Sequence, residues 1–253
     1  MLTPIQFDSV SDIYDYYVTS ELDIPFFMKE TEGFTREILE LMCGTGRVSI
    51  PLLQANRKLV CVDYSRGMLD SFRKKIEGKN YPVELIKADV TTLNLGRTFE
   101  CILLPFHSFS EILTPELQQR ALAMIAKHLE PNGIFVCTLQ NPAMKFKAAD
   151  GVTKTLGKFP MEGGKTLVVS YMNEPASDGN VITGFQQYEI FDSSNALIEK
   201  RRLEINFMPV GKTEFEKMVQ QAGMEVEALY GDYSYSRFVE RESVFMIYRL
   251  KKG

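Results

Sequence analysis

The sequence predicts an α/β protein built on a doubly wound parallel sheet, with an antiparallel β segment inserted late in the chain. Between residues 35 and 141, short apolar runs alternate with helix-length amphipathic stretches. Near-continuous apolar strands separated by helices indicate a parallel sheet that is buried on both faces. After residue 141 come three longer runs of strand character, joined by turn-forming residues, which is typical of an antiparallel meander.

Length, composition and charge exclude several classes of protein. The chain has 253 residues, of which 45% are hydrophobic and 25% charged, and its net charge is −4. Nucleic-acid binding demands a basic face, so this balance argues against nucleic acid as the main partner. No apolar run approaches the ~20 residues of a membrane span, and the N-terminus lacks the features of a signal peptide. We therefore expect a cytoplasmic protein.

The four cysteines predict neither disulfides nor a metal site. Cys43, Cys61, Cys101 and Cys137 form no C-x-x-C pair, and no His or Asp cluster accompanies them. Three of them lie inside apolar runs, where a thiol behaves as a small hydrophobic group. We expect four reduced, structural cysteines.

The elements of the first part follow in order. The first 34 residues are predicted to be helical, and Gly33 ends them. Strands are predicted at REILELM, KLVCVD, VELIKAD, ECILLPF and GIFVCTL, and helices at RVSIPLLQAN, GMLDSFRKKIEG and PELQQRALAMIAKHLE. Pro51 conflicts with the first of these helices unless it lies in the first turn. Thr114 and Pro115 are typical of the start of the third helix, and residues 131–133 (PNG) of its stop.

The later elements divide the chain into three parts. Residues 143–165 are rich in Lys and Gly and are predicted to be a solvated loop, or a segment that meets a phosphate on the acceptor. The meander follows (TLVVSYMN, VITGFQQYEIFD, ALIEKRRLEINFM), then a helix with Thr213 as N-cap and two final strands. We assign 1–142 to an N-terminal helical segment plus the α/β core, 143–208 to the inserted β lid and 209–253 to the end of the core.

A glycine turn follows the first predicted strand, at the edge of the sheet where ligands bind. Residues 40–46 (ELMCGTG) lead directly into a helix. Glycine lets a ligand approach the backbone, and free N–H groups at a helix start favour a polar or anionic group. A dinucleotide fingerprint would place a third glycine at Ser49, where it is missing. A purely structural glycine turn is the alternative.

Acidic residues end the next two strands. Asp63 could accept two hydrogen bonds from a ribose diol, and a helix N-cap is its alternative role. Asp89 could accept a hydrogen bond from an exocyclic amine, although a lone Asp at a strand end is also typical of a turn.

Together these motifs resemble a known family. The segments E-L-x-C-G-T-G-R, V-D-Y-S-x-x-M-L and K-A-D-V are similar to the first three motifs of class I S-adenosylmethionine-dependent methyltransferases. The resemblance covers about residues 35–141 and implies a seven-stranded sheet of order 3-2-1-4-5-7-6 with strand 7 antiparallel. The aromatic N-terminal segment, the β lid and the closing helix–strand pair resemble the small-molecule enzymes of this family, including the amino-sugar N-methyltransferases. An N-P-P-Y-type motif at the end of the fourth strand would mark amide or base methylation. This sequence has L-P-F-H there, which argues against nucleic-acid bases and glutamine amides as acceptors.

The resemblance implies S-adenosylmethionine as the cofactor and gives roles to the motif residues. Glu40 would lie near the methionine amine, and Asp63 would bind the ribose hydroxyls. Tyr64 and Met68 would flank the adenine, and Asp89 with its neighbours would meet the adenine edge. The full set expected to bind the cofactor is Tyr17, Glu40, Cys43, Gly44, Thr45, Gly46, Asp63, Tyr64, Met68, Ala88, Asp89, Val90, Pro105 and Phe106.

His107 and Tyr14 are the candidate catalytic residues. His107 lies at the ligand edge and could act as general base for an amine or hydroxyl acceptor, since imidazole titrates near neutral pH. A neutral ring held within the loop is the alternative. Tyr14, Tyr17, Phe106 and Phe109 could line an acceptor pocket and attract a sulfonium, or could be plain core. His128, in the last turn of a helix, is expected to be structural.

The sequence thus predicts methyl transfer from S-adenosylmethionine to an N or O nucleophile of a small molecule. Three alternatives stay open. They are a non-catalytic S-adenosyl-ligand binding protein, a nicotinamide-dependent oxidoreductase, and a structural protein that binds no nucleotide. The expected partner is a small-molecule acceptor, with no nucleic acid and no membrane, and a homodimer is left open.

Overall fold

The computed structural model describes residues 3–177 and 179–253, and its strands form two sheets. The strands in chain order are β1 (Glu37–Leu41), β2 (Lys58–Asp63), β3 (Val83–Lys87), β4 (Phe99–Leu104), β5 (Leu129–Gln140), β6 (Lys154–Pro160), β7 (Thr166–Pro175), β8 (Ile182–Phe191), β9 (Leu197–Phe207), β10 (Met224–Tyr230) and β11 (Phe245–Lys252). The main sheet has the order β3-β2-β1-β4-β5-β11-β10. Its first five strands are parallel, and β11 runs antiparallel to both neighbours. The predicted order 3-2-1-4-5-7-6 is confirmed.

Helices cover both faces of the main sheet. The helices in chain order are α1 (Tyr14–Tyr17), α2 (Ile24–Glu30), α3 (Ser49–Gln54), α4 (Arg66–Ile76), α5 (Pro115–His128), α6 (Pro142–Ala148) and α7 (Lys212–Gln221), of which α1 and α6 contact the second sheet instead. Residues of α5 and α7 belong to one apolar cluster with the strands, and residues of α2, α3 and α4 belong to a second. Because alternate strand residues enter the two clusters, every central strand needs an apolar side chain at nearly every position. This requirement explains the continuous apolar runs in the sequence.

Most of the predicted helix boundaries are confirmed. Thr114 caps α5 by accepting a hydrogen bond from the Leu117 N–H at 3.2 Å, and Pro115 is the first helical residue. Pro51 lies in the first turn of α3, where its missing N–H breaks no helical hydrogen bond. The Thr213 cap is wrong, because α7 begins at Lys212 and its N-cap is Gly211, which has no side-chain cap.

The N-terminal segment is not the continuous helix that the sequence predicts. It consists of a 3₁₀ turn (Phe7–Ser9), α1 and α2, joined by irregular backbone. Breaks between these pieces allow Ile5, Val10 and Ile13 to bury themselves against the second sheet rather than along one helical stripe. The segment therefore follows the surface that it covers, and tertiary packing overrides local propensity.

The second sheet is antiparallel, with the order β6-β7-β8-β9. The predicted meander corresponds to β7, β8 and β9, and Leu203 and Ile205 of β9 are buried in the apolar cluster of this sheet. The predicted loop over residues 143–165 is wrong in part, because it contains most of α6 and all of β6. Asn141 caps α6 by accepting from the Ala143 N–H at 3.2 Å, a signal present in the sequence as N-P. Because this segment contains many Lys and Gly residues, its sequence resembles a loop, and neither α6 nor β6 was predicted.

Side chains predicted to be structural are buried. All four cysteines are free and buried. The Nε2 atom of His128 accepts a hydrogen bond from the Leu95 N–H at 2.9 Å, so Nδ1 carries the proton and donates to the Met124 carbonyl at 2.7 Å. His128 is therefore a neutral packing residue rather than a cation at the helix end. Within the described ranges, no helix is long and apolar enough to cross a membrane.

Candidate active site

A cavity of about 690 Å³ lies where the carboxyl ends of β1, β2 and β4 face the second sheet. Volumes of this size hold drug-sized ligands and cofactors. Its walls also include the N-terminal segment, α6 and the inner faces of β7 and β8. The position agrees with the rule that open α/β sheets bind ligands beyond the carboxyl ends of their strands.

Most of the sequence-predicted site residues line this cavity, and a few do not. Those that line it are Tyr14, Tyr17, Glu40, Cys43, Gly44, Thr45, Asp63, Tyr64, Met68, Pro105, Phe106 and His107. Gly46, Ala88, Asp89 and Val90 are not among its lining residues. Asp89 accepts hydrogen bonds from the N–H and the hydroxyl of Thr91, both at 2.8 Å, and so caps a short 3₁₀ turn. Phe109 is fully buried against Phe215 and belongs to the core.

The two glycines after β1 differ in their surroundings. Both have left-handed backbone, with φ of +56° at Gly44 and +83° at Gly46. A Cβ atom at Gly44 would meet no heavy atom within 4 Å, whereas one at Gly46 would lie 2.6 Å from the Phe72 ring. Gly44 therefore leaves open space beside the cavity, and Gly46 allows close packing against α4.

Asp63 connects the turns that follow β1 and β2. One carboxylate oxygen accepts from the Gly44 N–H and the other from the Ser65 N–H, each at 2.8 Å. Burial raises the pKa of Asp63 above its usual value, although these hydrogen bonds oppose the shift. Each carboxylate oxygen has a second lone pair, so the side chain can still accept from the hydroxyls of a ligand.

Glu40 lies on the floor of the cavity, in β1. The Ser49 hydroxyl donates to its carboxylate at 2.7 Å, and Cys61 Sγ donates in turn to Ser49 at 3.5 Å. Burial raises the pKa of Glu40 to about 7. Ser49 stands where a dinucleotide fingerprint would have its third glycine, and here its hydroxyl orients Glu40.

Arg47 is a cavity residue that sequence reasoning missed. Its guanidinium makes a two-pronged ion pair with Asp23, at 2.5 and 2.6 Å, and it also donates to the Ser20 carbonyl at 2.7 Å. The same group lies 4.4 Å from the centroid of the Phe106 ring. Because the Asp23 carboxylate compensates the charge of Arg47, this cation is already paired. Asp23 lies on a different segment of the chain, so the motif G-T-G-R alone does not indicate this ion pair.

Polar contacts hold the N-terminal segment over the site. Asp15 accepts from the Thr45 hydroxyl at 2.6 Å, directly beside the glycine turn. Asp8 accepts from the Ser65 hydroxyl at 2.7 Å and from the Gly67 N–H at 2.6 Å, at the start of α4. The Tyr64 hydroxyl donates to the Ile5 carbonyl. These contacts close the cavity on the side of β2.

The aromatic wall contains His107. Its ring stacks on Phe245, with centroids 5.0 Å apart and an interplanar angle of 10°, and lies beside Phe106 at 6.1 Å. Its buried Nδ1 atom has no hydrogen-bond partner among the described residues. Burial, together with the nearby charge of Lys145, lowers the pKa of His107 to about 4. The ring is therefore neutral near pH 7.

Tyrosine hydroxyls connect the N-terminal segment to the second sheet. The Tyr17 and Tyr188 hydroxyls share a hydrogen bond of 2.8 Å, and Tyr188 donates to Gln186 at 2.6 Å. Tyr14 packs against Tyr17, with ring centroids 5.4 Å apart. Burial holds the pKa of Tyr14 and of Tyr17 well above the usual range, so both phenols stay protonated.

Comparisons with known proteins agree with this geometry. Residues 38–133 match a family model described as a methyltransferase domain. The chain is 26% identical to the cypemycin N-terminal methyltransferase of a Streptomyces species over 212 residues, which are 84% of this chain and 82% of that protein. It is also 26% identical to the dTDP-3-amino-3,4,6-trideoxy-alpha-D-glucopyranose N,N-dimethyltransferase of Streptomyces venezuelae over 134 residues, 50% of this chain and 55% of that one.

A solved structure covers nearly the whole fold. An S-adenosylmethionine-dependent methyltransferase from Clostridium acetobutylicum aligns with a TM-score of 0.80, at 18% identity, over 98% of this chain and 99% of that chain. The strand order, the position of the cavity and the family match lead to one assignment. Residues 38–133 are a methyltransferase domain, and the whole chain has the fold of the class I S-adenosylmethionine-dependent methyltransferases.

The cavity fits S-adenosylmethionine chemically. The open space at Gly44 admits a ligand close to the backbone. Glu40 and Asp63 line the same cavity, and neither forms an ion pair with a cation among the described residues. A ligand that carries a sulfonium, an ammonium and a ribose diol supplies the positive charge and the donors that these carboxylates lack.

Proposed function

We propose that this methyltransferase transfers the methyl group of S-adenosylmethionine to the nitrogen of a small-molecule amine. The observation that carries the proposal is the cavity beside Gly44 and Asp63, whose walls include the lid and the N-terminal segment. Acidic side chains and aromatic rings line it, which suits cationic ligands. The names of the two relatives given above refer to an amino terminus and to N,N-dimethylation, which supports nitrogen over oxygen as the acceptor atom.

Within this proposal, the cofactor lies across the ends of β1 and β2. Asp63 accepts hydrogen bonds from the ribose hydroxyls, and Glu40 lies near the methionine amine. The backbone at Gly44 passes under the methionyl group, while Tyr64 and Met68 flank the adenine. Asp89 does not line the cavity, and its Oδ1 atom already accepts two hydrogen bonds from Thr91, so we propose that its role in binding is minor.

The acceptor lies on the side of the lid in this proposal. When bound, S-adenosylmethionine supplies a methyl group that is already electrophilic, so the protein's task is to align the acceptor and exclude water. Tyr14, Phe106 and His107 form the wall against which the acceptor packs. The lid residues Tyr171 and Gln186 close the opposite side.

Matched pairs of amines and alcohols test the proposed acceptor. Purified enzyme with S-adenosylmethionine is incubated with glycine or glycolate, with a free or N-acetylated peptide N-terminus, and with amino sugars or their hydroxy analogues. Release of S-adenosylhomocysteine is measured. We expect turnover only with amine members. Turnover of the hydroxyl members while the amines stay inert would contradict the proposal.

A lid variant should separate acceptor binding from cofactor binding. Tyr171 lines the cavity from β7, at the register position opposite Gln186 of β8. Tyr171→Ala is expected to raise KM for the amine acceptor about tenfold by removing a buried aromatic contact. The Kd of S-adenosylhomocysteine should stay within about threefold of wild type. Lys158→Ala, an exposed change in β6, serves as control, and an equal loss of both affinities would contradict the assignment.

Binding of S-adenosylmethionine at pH 7 should release protons. Because the pKa of Glu40 is raised to about 7, roughly half of these carboxyl groups are protonated at that pH. A cationic ligand beside Glu40 lowers this pKa, so a proton leaves as the ligand binds. Calorimetry in buffers of different ionisation enthalpy should report release at pH 7 and much less at pH 9. An enthalpy that does not depend on the buffer at pH 7, or unchanged release in Glu40→Gln, would contradict this role.

We extend the proposal to the cellular setting. The enzyme works in the cytoplasm on a small molecule, without nucleic acid, and residues 1–142, 143–208 and 209–253 act as core, lid and end of core. Sedimentation velocity tests whether it forms a homodimer.

A further inference from the structure

Glu111 is a carboxylate in the cavity wall to which the cofactor assignment gives no role. It ends the 3₁₀ turn Ser108–Glu111 that follows β4, and it lines the cavity. Throughout residues 3–177 and 179–253, no group donates a hydrogen bond to its side chain or forms an ion pair with it. Its side chain is half-buried and lines the cavity, so this unpartnered carboxylate suits a ligand that brings a donor or a positive charge.

The titratable groups facing Glu111 do not neutralise it. Asp63 is a second acid, and Tyr14 and Tyr64 are phenols whose pKa values its charge helps to raise. Burial, followed by the charge of Asp63, raises the pKa of Glu111 to about 8. The other charged groups of the cavity have partners elsewhere. Lys145 lies over the Phe207 ring at 4.6 Å and affects His107 instead.

We propose that Glu111 receives the acceptor nitrogen, binding the amine in its ammonium form and taking the proton that this nitrogen must lose. The inference rests on the proposed function and names the acceptor as an amine that is cationic in solution. In the step itself, an N–H bond breaks and an O–H bond forms on Glu111. The freed lone pair forms the N–C bond, while the S–C bond breaks and its electron pair stays on sulfur.

An ammonium acceptor fits this residue better than an alcohol does. A neutral alcohol is far too weak an acid to give its proton to a carboxylate. An ammonium group has a pKa near 10 in water, and a dry cavity lowers that value toward the raised pKa of Glu111. His107 is the weaker base of the two, because its pKa is lowered to about 4 and Nδ1 is buried.

Sinefungin has a carbon that bears an amino group where S-adenosylmethionine has the sulfur that bears the methyl group. It therefore places an amine next to the proposed position of the acceptor nitrogen, and the acceptor itself need not be known. The affinity of sinefungin relative to S-adenosylhomocysteine is measured by calorimetry at pH 8 for wild type, Glu111→Gln and Glu111→Asp. Glu116→Gln is the matched control, since Glu116 is exposed in the first turn of α5 and outside the cavity. Because Glu111 has no internal partner, the glutamine variant should keep its thermal stability.

We expect the preference for sinefungin to fall about tenfold in Glu111→Gln, as a charge-assisted contact is lost. Glu116→Gln should match wild type, and Glu111→Asp should retain part of the preference. An unchanged preference in Glu111→Gln overturns the inference, as does a loss of more than threefold in S-adenosylhomocysteine affinity, which would assign Glu111 to the cofactor. If neither ligand binds the wild type, the proposed function itself fails. Should Glu111→Gln not fold, an unchanged preference in Glu111→Asp likewise overturns the inference.

Discussion

Replacing Asp63 with asparagine is expected to weaken binding of S-adenosylmethionine by about 1.5–3 kcal/mol, or roughly tenfold to 150-fold in Kd. The carboxylate lies in the cavity at the end of β2, with both oxygens already accepting backbone hydrogen bonds from Gly44 and Ser65. Asparagine keeps one acceptor oxygen and loses the negative charge that strengthens hydrogen bonds from ribose hydroxyls. Calorimetry with S-adenosylmethionine and S-adenosylhomocysteine measures the effect.

The same contacts bring a cost in stability that differs between substitutions. Asp63→Ala leaves the Gly44 and Ser65 N–H groups without their acceptor and should lower the free energy of unfolding by about 1–3 kcal/mol. Asp63→Asn should lower it less. Asp70→Asn, on the exposed face of α4, is the control for both measurements. If Asp63→Asn folds normally and binds the cofactor with wild-type affinity, the role of Asp63 in binding is wrong.

Alanine at Gly44 should mainly weaken cofactor binding, whereas alanine at Gly46 should mainly lower the free energy of unfolding. Both substitutions place an L-residue in left-handed backbone, at about 1 kcal/mol each. At Gly46 the new methyl group also collides with Phe72, so the total loss of unfolding free energy should reach about 2–4 kcal/mol. At Gly44 the methyl group enters open space that we assign to the ligand, so the Kd of S-adenosylmethionine should rise about tenfold or more.

Thermal or denaturant unfolding and calorimetry on the two variants give the comparison. Gly46→Ala should bind the cofactor in proportion to its folded fraction. If a Gly44→Ala variant is folded and binds S-adenosylmethionine normally, the glycine turn has only a structural role. A Gly46→Ala variant as stable as wild type would contradict the packing against Phe72.

Local and periodic features of the fold were predictable from the sequence. Central strands such as KLVCVD are apolar at nearly every position because both faces of the sheet are covered. Such a run can be recognised in the sequence without knowing which helices and strands pack against it. The start of α5 was predictable from two adjacent residues, because Thr114 is a good N-cap and Pro115 suits the first helical position. The glycine turn and Asp63 were found because each ends a recognisable strand.

Features that depend on distant partners were not predictable. The hydrogen bond from Thr45 to Asp15 and the ion pair of Arg47 with Asp23 join residues far apart in the chain, and no periodicity records them. In the sequence Glu111 is an ordinary acidic residue in a loop before a helix. That its carboxylate faces the cavity without a hydrogen-bond donor or cation is known only from the structure. The N-terminal segment was misjudged for the same reason, since its breaks serve packing against the second sheet.

The most direct test of the account is calorimetric titration of the purified protein with S-adenosylhomocysteine, and separately with NAD⁺. We predict saturable binding of one S-adenosylhomocysteine per chain, weakened in Asp63→Asn, and no measurable heat with NAD⁺. Binding of NAD⁺ in preference to S-adenosylhomocysteine, or no binding of S-adenosylhomocysteine at all, would contradict it.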